Sequence, residues 1–120
     1  DLAWLNKMEA KYKDAIAYAE KAERLYKLIG DKRGESESHN VIGLTYFLTD
    51  NFKQAGIEYE KALSIREDLD DLKGVSATLY NQSELLIELK RADEALPVLE
   101  RVVRIEEKIG NKPYLAMTYG

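Results

Sequence analysis

Residues 42–62 read IGLTYFLTDNFKQAGIEYEKA, and their punctuation decides the fold. An apolar stretch from Ile42 to Leu48 is separated from a second one, beginning at Phe52, by Thr49, Asp50 and Asn51. That turn is short, so the two segments are antiparallel neighbours. Beyond it, Ala55, Tyr59, Ala62, Ile65 and Leu69 fall at spacings of three or four, the rhythm of an apolar stripe on an amphipathic helix. Val75, Leu79, Ser83, Leu86 and Leu89 continue that rhythm in a further helix. Small residues at Gly43, Ala55 and Ala62 let helix backbones approach closely, and aromatic side chains fill the gaps beside them.

The pattern recurs along the whole chain. Written in rows of forty from Lys11, the sequence aligns Tyr12, Phe52 and Ala92 without a gap; Ala15, Ala55 and Ala95 form another column. Glu20, Glu60 and Glu100 share a column, as do Ala22, Ala62 and Val102, and Leu25, Ile65 and Ile105. Each row reads as two helices, and there is no strand-length β-branched run bounded by turn residues. The longer connections carry stop and start chemistry at Gly30-Asp31, Asp70-Asp71 and Gly110-Asn111: the first residue takes a left-handed conformation and the second caps the next helix. Pro113 falls in a first turn, where its missing N–H costs little. Pro97 lies early in its helix and is expected to be tolerated.

Ile42-Gly43-x-x-Tyr46, Asp50-Asn51-Phe52, and Ala55, Tyr59 and Ala62 together resemble the tetratricopeptide pattern of L-G-x-x-Y, G-D-Y and later small and aromatic positions. The resemblance covers the whole chain, is clearest in the middle row, and weakens in the third. It implies an all-α, right-handed superhelical stack of antiparallel helix pairs. The period of forty exceeds the usual length of about 34 residues, and Glu67 stands near the family's late proline. Both departures are similar to longer-helix repeats of kinesin light chains, cell-polarity adaptors and bacterial signalling proteins. The expected organisation is one domain over residues 1–120: a partial repeat at 1–30, repeats at 31–70 and 71–110, and the start of another at 111–120. It reads as an excerpt of a longer array within a signalling or regulatory protein. Uncovered ends predict homo-oligomerisation or domain swapping, with Leu115, Met117 and Tyr119 on an unprotected last helix.

Bulk properties narrow the function. The 120 residues are 45% apolar and 33% charged, as in one soluble globular domain. A net charge of -4 argues against nucleic acid or an anionic membrane as the partner. No apolar run approaches the roughly 20 residues that cross a bilayer. The absence of cysteine fits a reducing compartment, so a cytoplasmic location is expected.

In the geometry implied by the resemblance, the first helix of each pair lines a concave groove that holds a protein or peptide. This places Glu37, Asn40, Leu44 and Phe47 there from one repeat and Ala77, Tyr80, Asn81, Glu84 and Ile87 from the next, with Trp4 and Lys7 on a partial first helix. Trp4, Phe47 and Tyr80 read as aromatic anchors, Asn40 and Asn81 as partners for a peptide backbone, and Glu37 and Glu84 as partners for basic side chains. Each has a plainer reading: Trp4 as packing near an end, Asn40 as a surface polar residue, and the glutamates as a solvated helix face. Tyr12, Tyr18, Tyr26, Tyr46 and Tyr59 are expected to be structural. The Lys and Asn of a chaperone-tail clamp are not matched at Asn40, Leu44, Tyr80 and Glu84. The alternative functions are an oligomerising scaffold with its groove filled intramolecularly, or a sensor of a small signalling ligand or peptide.

Catalysis is not expected. His39 is the sole histidine, and Glu35, one turn earlier, brings a metal set to two ligands where zinc wants three or four. Ser36 and Ser38 beside it lack an oriented third group and oxyanion donors. No phosphate-binding or dinucleotide-binding glycine motif occurs, and no cofactor is expected.

Overall fold

Five helices follow one another in a computed structural model that describes residues 2–110: α1 (Leu2–Ile29), α2 (Lys32–Leu48), α3 (Phe52–Asp68), α4 (Leu72–Glu88) and α5 (Ala92–Ile109). There is no strand among the described residues. Each helix packs on the next, and α2 also touches α4, so successive pairs stack. The pairs α2–α3 and α4–α5 fall within residues 31–70 and 71–110.

All the helix junctions rest on one local device. Gly30, Asp50, Asp70, Lys90 and Gly110 have positive φ, between 52° and 83°. At the first four, the amide after the left-handed residue bonds back to a carbonyl of the preceding turn: Asp31 to Tyr26 at 2.9 Å, Asn51 to Tyr46 at 2.8 Å, Asp71 to Arg66 at 3.0 Å and Arg91 to Leu86 at 2.8 Å. These are Schellman closures, which satisfy carbonyls that a helix end leaves unpaired. Asp31 and Asp71 then cap α2 and α4, each accepting from the glycine amide three residues on, at 2.9 Å from Gly34 and 3.1 Å from Gly74. Pro97 lies inside α5 without ending it. Asn111, Pro113, Leu115, Met117 and Tyr119 lie outside the described residues.

The core coincides with the repeat columns only in part: Ala55, Ala62, Ala95 and Ile105 are buried, whereas Ala15 and Leu25 of the same columns are exposed. Ala55, Tyr59 and Leu85 form one buried cluster with Tyr46, Phe47 and Phe52 packed against it, while Val75, Leu79 and Ile105 form a second. A Cβ on Gly43 would come within 2.7 Å of the Tyr59 ring, so this glycine sets the spacing between α2 and α3. The buried stripe of α3 is Ala55, Tyr59, Ala62 and Arg66 rather than one passing through Ile65 and Leu69. At 3.6 residues per turn, position 66 faces inward after 55, 59 and 62. Buried Ser36, Ser38, Thr45 and Ser83 bond to carbonyls one turn back in their own helices. This satisfies hydroxyls that would otherwise be costly to bury.

Two expectations fail at the N-terminus. The partial first helix does not exist as a separate element, because α1 runs unbroken for 28 residues. Ala10 and Lys11 stand where Asp50 and Asn51 form the turn one row later, and both are good helix formers with no capping side chain. Tyr18 is 76% exposed instead of structural, since α1 packs against α2 and leaves its opposite face uncovered. Tyr12, Tyr26 and Tyr46 are half-buried, and Tyr59 is buried.

Candidate functional site

Stacking of α2 on α4 turns two helical stripes toward solvent. Glu37, Val41, Leu44 and Leu48 are exposed on α2, and Ala77, Tyr80, Glu84 and Ile87 on α4. Tyr80 is 51% exposed with its ring available for contact. Of the residues expected in a groove, Glu37, Leu44, Tyr80, Glu84 and Ile87 are therefore accessible along these two helices. Glu37 and Ala77 also line a cleft of about 540 Å³ at the N-terminal ends of α2 and α4, together with Arg33, Arg66 and Lys73.

Three residues depart from that picture. Phe47 is half-buried, its ring centroid 5.7 Å from that of Phe52 at an interplanar angle of 53°, and it packs on the Ala55–Tyr59–Leu85 cluster. It is a core side chain, drawn in because α3 returns beside α2 immediately after the turn. Trp4 and Lys7 lie on the first part of α1. A helix of that length spans about 42 Å against about 26 Å for α2, and Tyr12 and Ile16 already lie beside Tyr46 and Thr49 at the end of α2. Trp4 and Lys7 thus lie on an overhang beyond α2, not beside Leu44 and Tyr80. The missing turn at Ala10 is the cause.

Under the exposed stripes runs a polar network. Arg66 Nη2 donates to Glu37 Oε2 at 2.7 Å, its Nη1 to Thr78 Oγ1 at 2.8 Å and Gly74 O at 3.2 Å, and its Nε to Ser36 Oγ at 3.3 Å. Asn40 Oδ1 accepts from Thr78 Oγ1 at 3.4 Å and from Asn81 Nδ2 at 3.2 Å. Glu37, Arg66, Thr78, Asn40 and Asn81 are thereby joined across α2, α3 and α4. Arg66 and Thr78 were not anticipated. The available signal was a charged residue four positions after Ala62 on the buried stripe.

A second polar group lies between α1, α2 and α3. Nδ1 of His39 is 3.0 Å from Glu58 Oε1, and its Nε2 is 3.6 Å from Glu23 Oε1. Glu23, Glu35 and His39 offer ligand atoms that all lie within 4.8 Å of one another. The two-ligand limit read from Glu35 and His39 is thus corrected: α1 supplies Glu23 as a third, from a helix whose register no local pattern discloses.

Helix pairs closed by tight turns and stacked mainly by α3 against α4, with α2 touching α4, define an α-solenoid of two-helix repeats. The Tetratricopeptide repeat family profile matches residues 36–69 and 76–109, more than half of the chain, and the protein belongs to that family. The matched segments start at equivalent positions of the two full rows. No curated protein matches the chain significantly. Repeats of this family are generally protein–protein interaction modules. No helix among the described residues is long and apolar enough to cross a membrane.

Proposed function

We propose that the α2–α4 face holds an extended peptide or a partner helix. The observation that carries this reading is the coincidence of exposed apolar side chains, Leu44, Tyr80 and Ile87, with a rigid polar floor formed by Asn40 and Asn81. Apolar anchors beside preorganised hydrogen-bonding groups are what peptide grooves use. The Asn40–Asn81 bond leaves the Asn40 amide hydrogens and the Asn81 carbonyl oxygen for a peptide backbone. Glu84 adds an acceptor for a basic side chain, whereas Glu37 is already engaged by Arg66. The forty-residue spacing of the sequence supports, on this reading, a role in a signalling or scaffolding array.

Selection of peptides from a displayed random library tests the proposal. Enriched peptides should perturb backbone resonances of α2 and α4, and the triple variant L44A/Y80A/I87A should lose their binding while keeping its helicity. Perturbations confined to α1 or α5, or full binding by the triple variant, refute it.

A second reading, an oligomerising scaffold, is favoured by one observation: Leu25, Leu28 and Ile29 are exposed on α1. Their burial between copies would give concentration-dependent association, and L25E/L28E would abolish it in light scattering. A monomer at high concentration excludes this reading.

A further inference from the structure

We propose that Glu23, Glu35 and His39 form a site for a divalent transition-metal ion, zinc in the first instance, that fastens α1 to the repeat stack. The inference starts from the histidine. His39 is 8% exposed, and its Nδ1 faces Glu58 Oε1 at 3.0 Å, a hydrogen bond in which the ring donates to the carboxylate. Lys61 Nζ lies 3.1 Å from the other Glu58 oxygen and holds that carboxylate in place. A proton committed to Nδ1 leaves the Nε2 lone pair directed away from Glu58. A carboxylate behind one imidazole nitrogen is the arrangement that fixes a metal-binding histidine.

What Nε2 meets is electron-rich. Glu23 Oε1 stands 3.6 Å away, and the Glu35 carboxylate completes a set within 4.8 Å. Two acceptors facing each other need an electrophile between them. A separation of 3.6 Å is long for a hydrogen bond, but close to the roughly 3.4 Å edge of a tetrahedron with metal–ligand bonds of about 2.0–2.1 Å. The two carboxylates cancel the charge of a divalent ion. One nitrogen and two carboxylate ligands suit zinc and its first-row neighbours, whereas calcium wants six to eight oxygens. Glu35 is only 6% exposed, yet with Glu23 and His39 it borders an open cleft of about 490 Å³, which supplies an entry path and room for a water as fourth ligand.

The location gives the ion its consequence. Glu23 belongs to α1, a helix with no buried residue of its own, and the other two ligands belong to α2. A metal bridging them ties the least-embedded helix to the rest of the array. Glu58 acts as a positioning residue through His39.

The whole chain, stripped with EDTA, is titrated with zinc chloride by calorimetry at neutral pH, and with cobalt(II) by visible absorption. One ion per chain is expected, with tetrahedral cobalt bands and slower amide exchange across α1 on zinc addition. Glu23→Gln and His39→Gln should each weaken zinc binding at least tenfold with far-UV circular dichroism unchanged, and Glu58→Gln by about 10- to 100-fold. Glu23→Gln is decisive because its side chain is near the surface and its replacement is isosteric. Absence of saturable zinc binding, which would mean that only a proton occupies Nε2, overturns the proposal, as does binding that Glu23→Gln leaves unchanged.

Discussion

Arg66 Nη2 lies 2.7 Å from Glu37 Oε2, yet the two partners contribute very unequally to the fold. The Arg66 side chain is 7% exposed and also bonds Ser36, Gly74 and Thr78, whereas Glu37 is 63% exposed. Arg66→Ala removes the donor that links Ser36 Oγ, Thr78 Oγ1 and the Gly74 carbonyl and opens a cavity, so it should cost about 3 kcal/mol. Glu37→Gln removes only the exposed end of the network and should cost less than about 1 kcal/mol. Urea denaturation of both variants measures the contrast. Equal losses would mean that the charge pair itself, rather than the buried hydrogen bonds, holds α3 against α2 and α4.

Alkaline pH should unfold the protein through Tyr59. Burial, and secondarily the Glu84 carboxylate, push its phenol from 10.0 up to about 12. Between those values the unfolded chain has released the proton and the folded chain has kept it, so the folded state binds more protons and stability falls as pH rises. The contribution is intact below pH 10 and is lost as pH climbs through the folded value, amounting to about 2–3 kcal/mol over the window. Tyr59→Phe should flatten this alkaline limb, and Glu84→Gln should shorten it. The urea midpoint followed from pH 9 to pH 12 gives the answer.

Lys90→Gly should stabilise the protein. Lys90 holds φ at 64° at a junction where Gly30 and Gly110 occupy the equivalent turns of other helices. A left-handed conformation costs an L-residue about 1–2 kcal/mol, part of which returns as the greater unfolded-state freedom of glycine. A net gain of about 0.5–1 kcal/mol is expected in chemical denaturation. A loss would show that the Lys90 side chain makes a compensating contact.

The local layer of this protein was legible in its sequence. The left-handed stops at Gly30 and Asp70, the caps at Asp31 and Asp71, and the close approaches at Gly43, Ala55 and Ala62 each depend on residues a turn or two apart or on side-chain size. Such features follow from backbone sterics and hydrogen bonding that act within a few residues, and forty-residue recurrence repeats them in register. The unbroken course of α1 was missed: Ala10 and Lys11 contain no stop, but alignment to the next row suggested a turn that local chemistry does not support.

Tertiary structure decided which members of each apolar stripe face inward and which polar groups meet. Arg66 rather than Ile65 became the buried residue of α3, Phe47 joined the core, and Glu23 arrived beside His39 from another helix. Helical periodicity leaves the phase of a stripe open by about one residue, or 100° of rotation. Only packing against neighbours fixes that phase. The sequence therefore determined that helix pairs form and where they turn, while the rotation of each helix against the others composed the groove floor from Asn40 and Asn81 and gathered Glu23, Glu35 and His39 around one point.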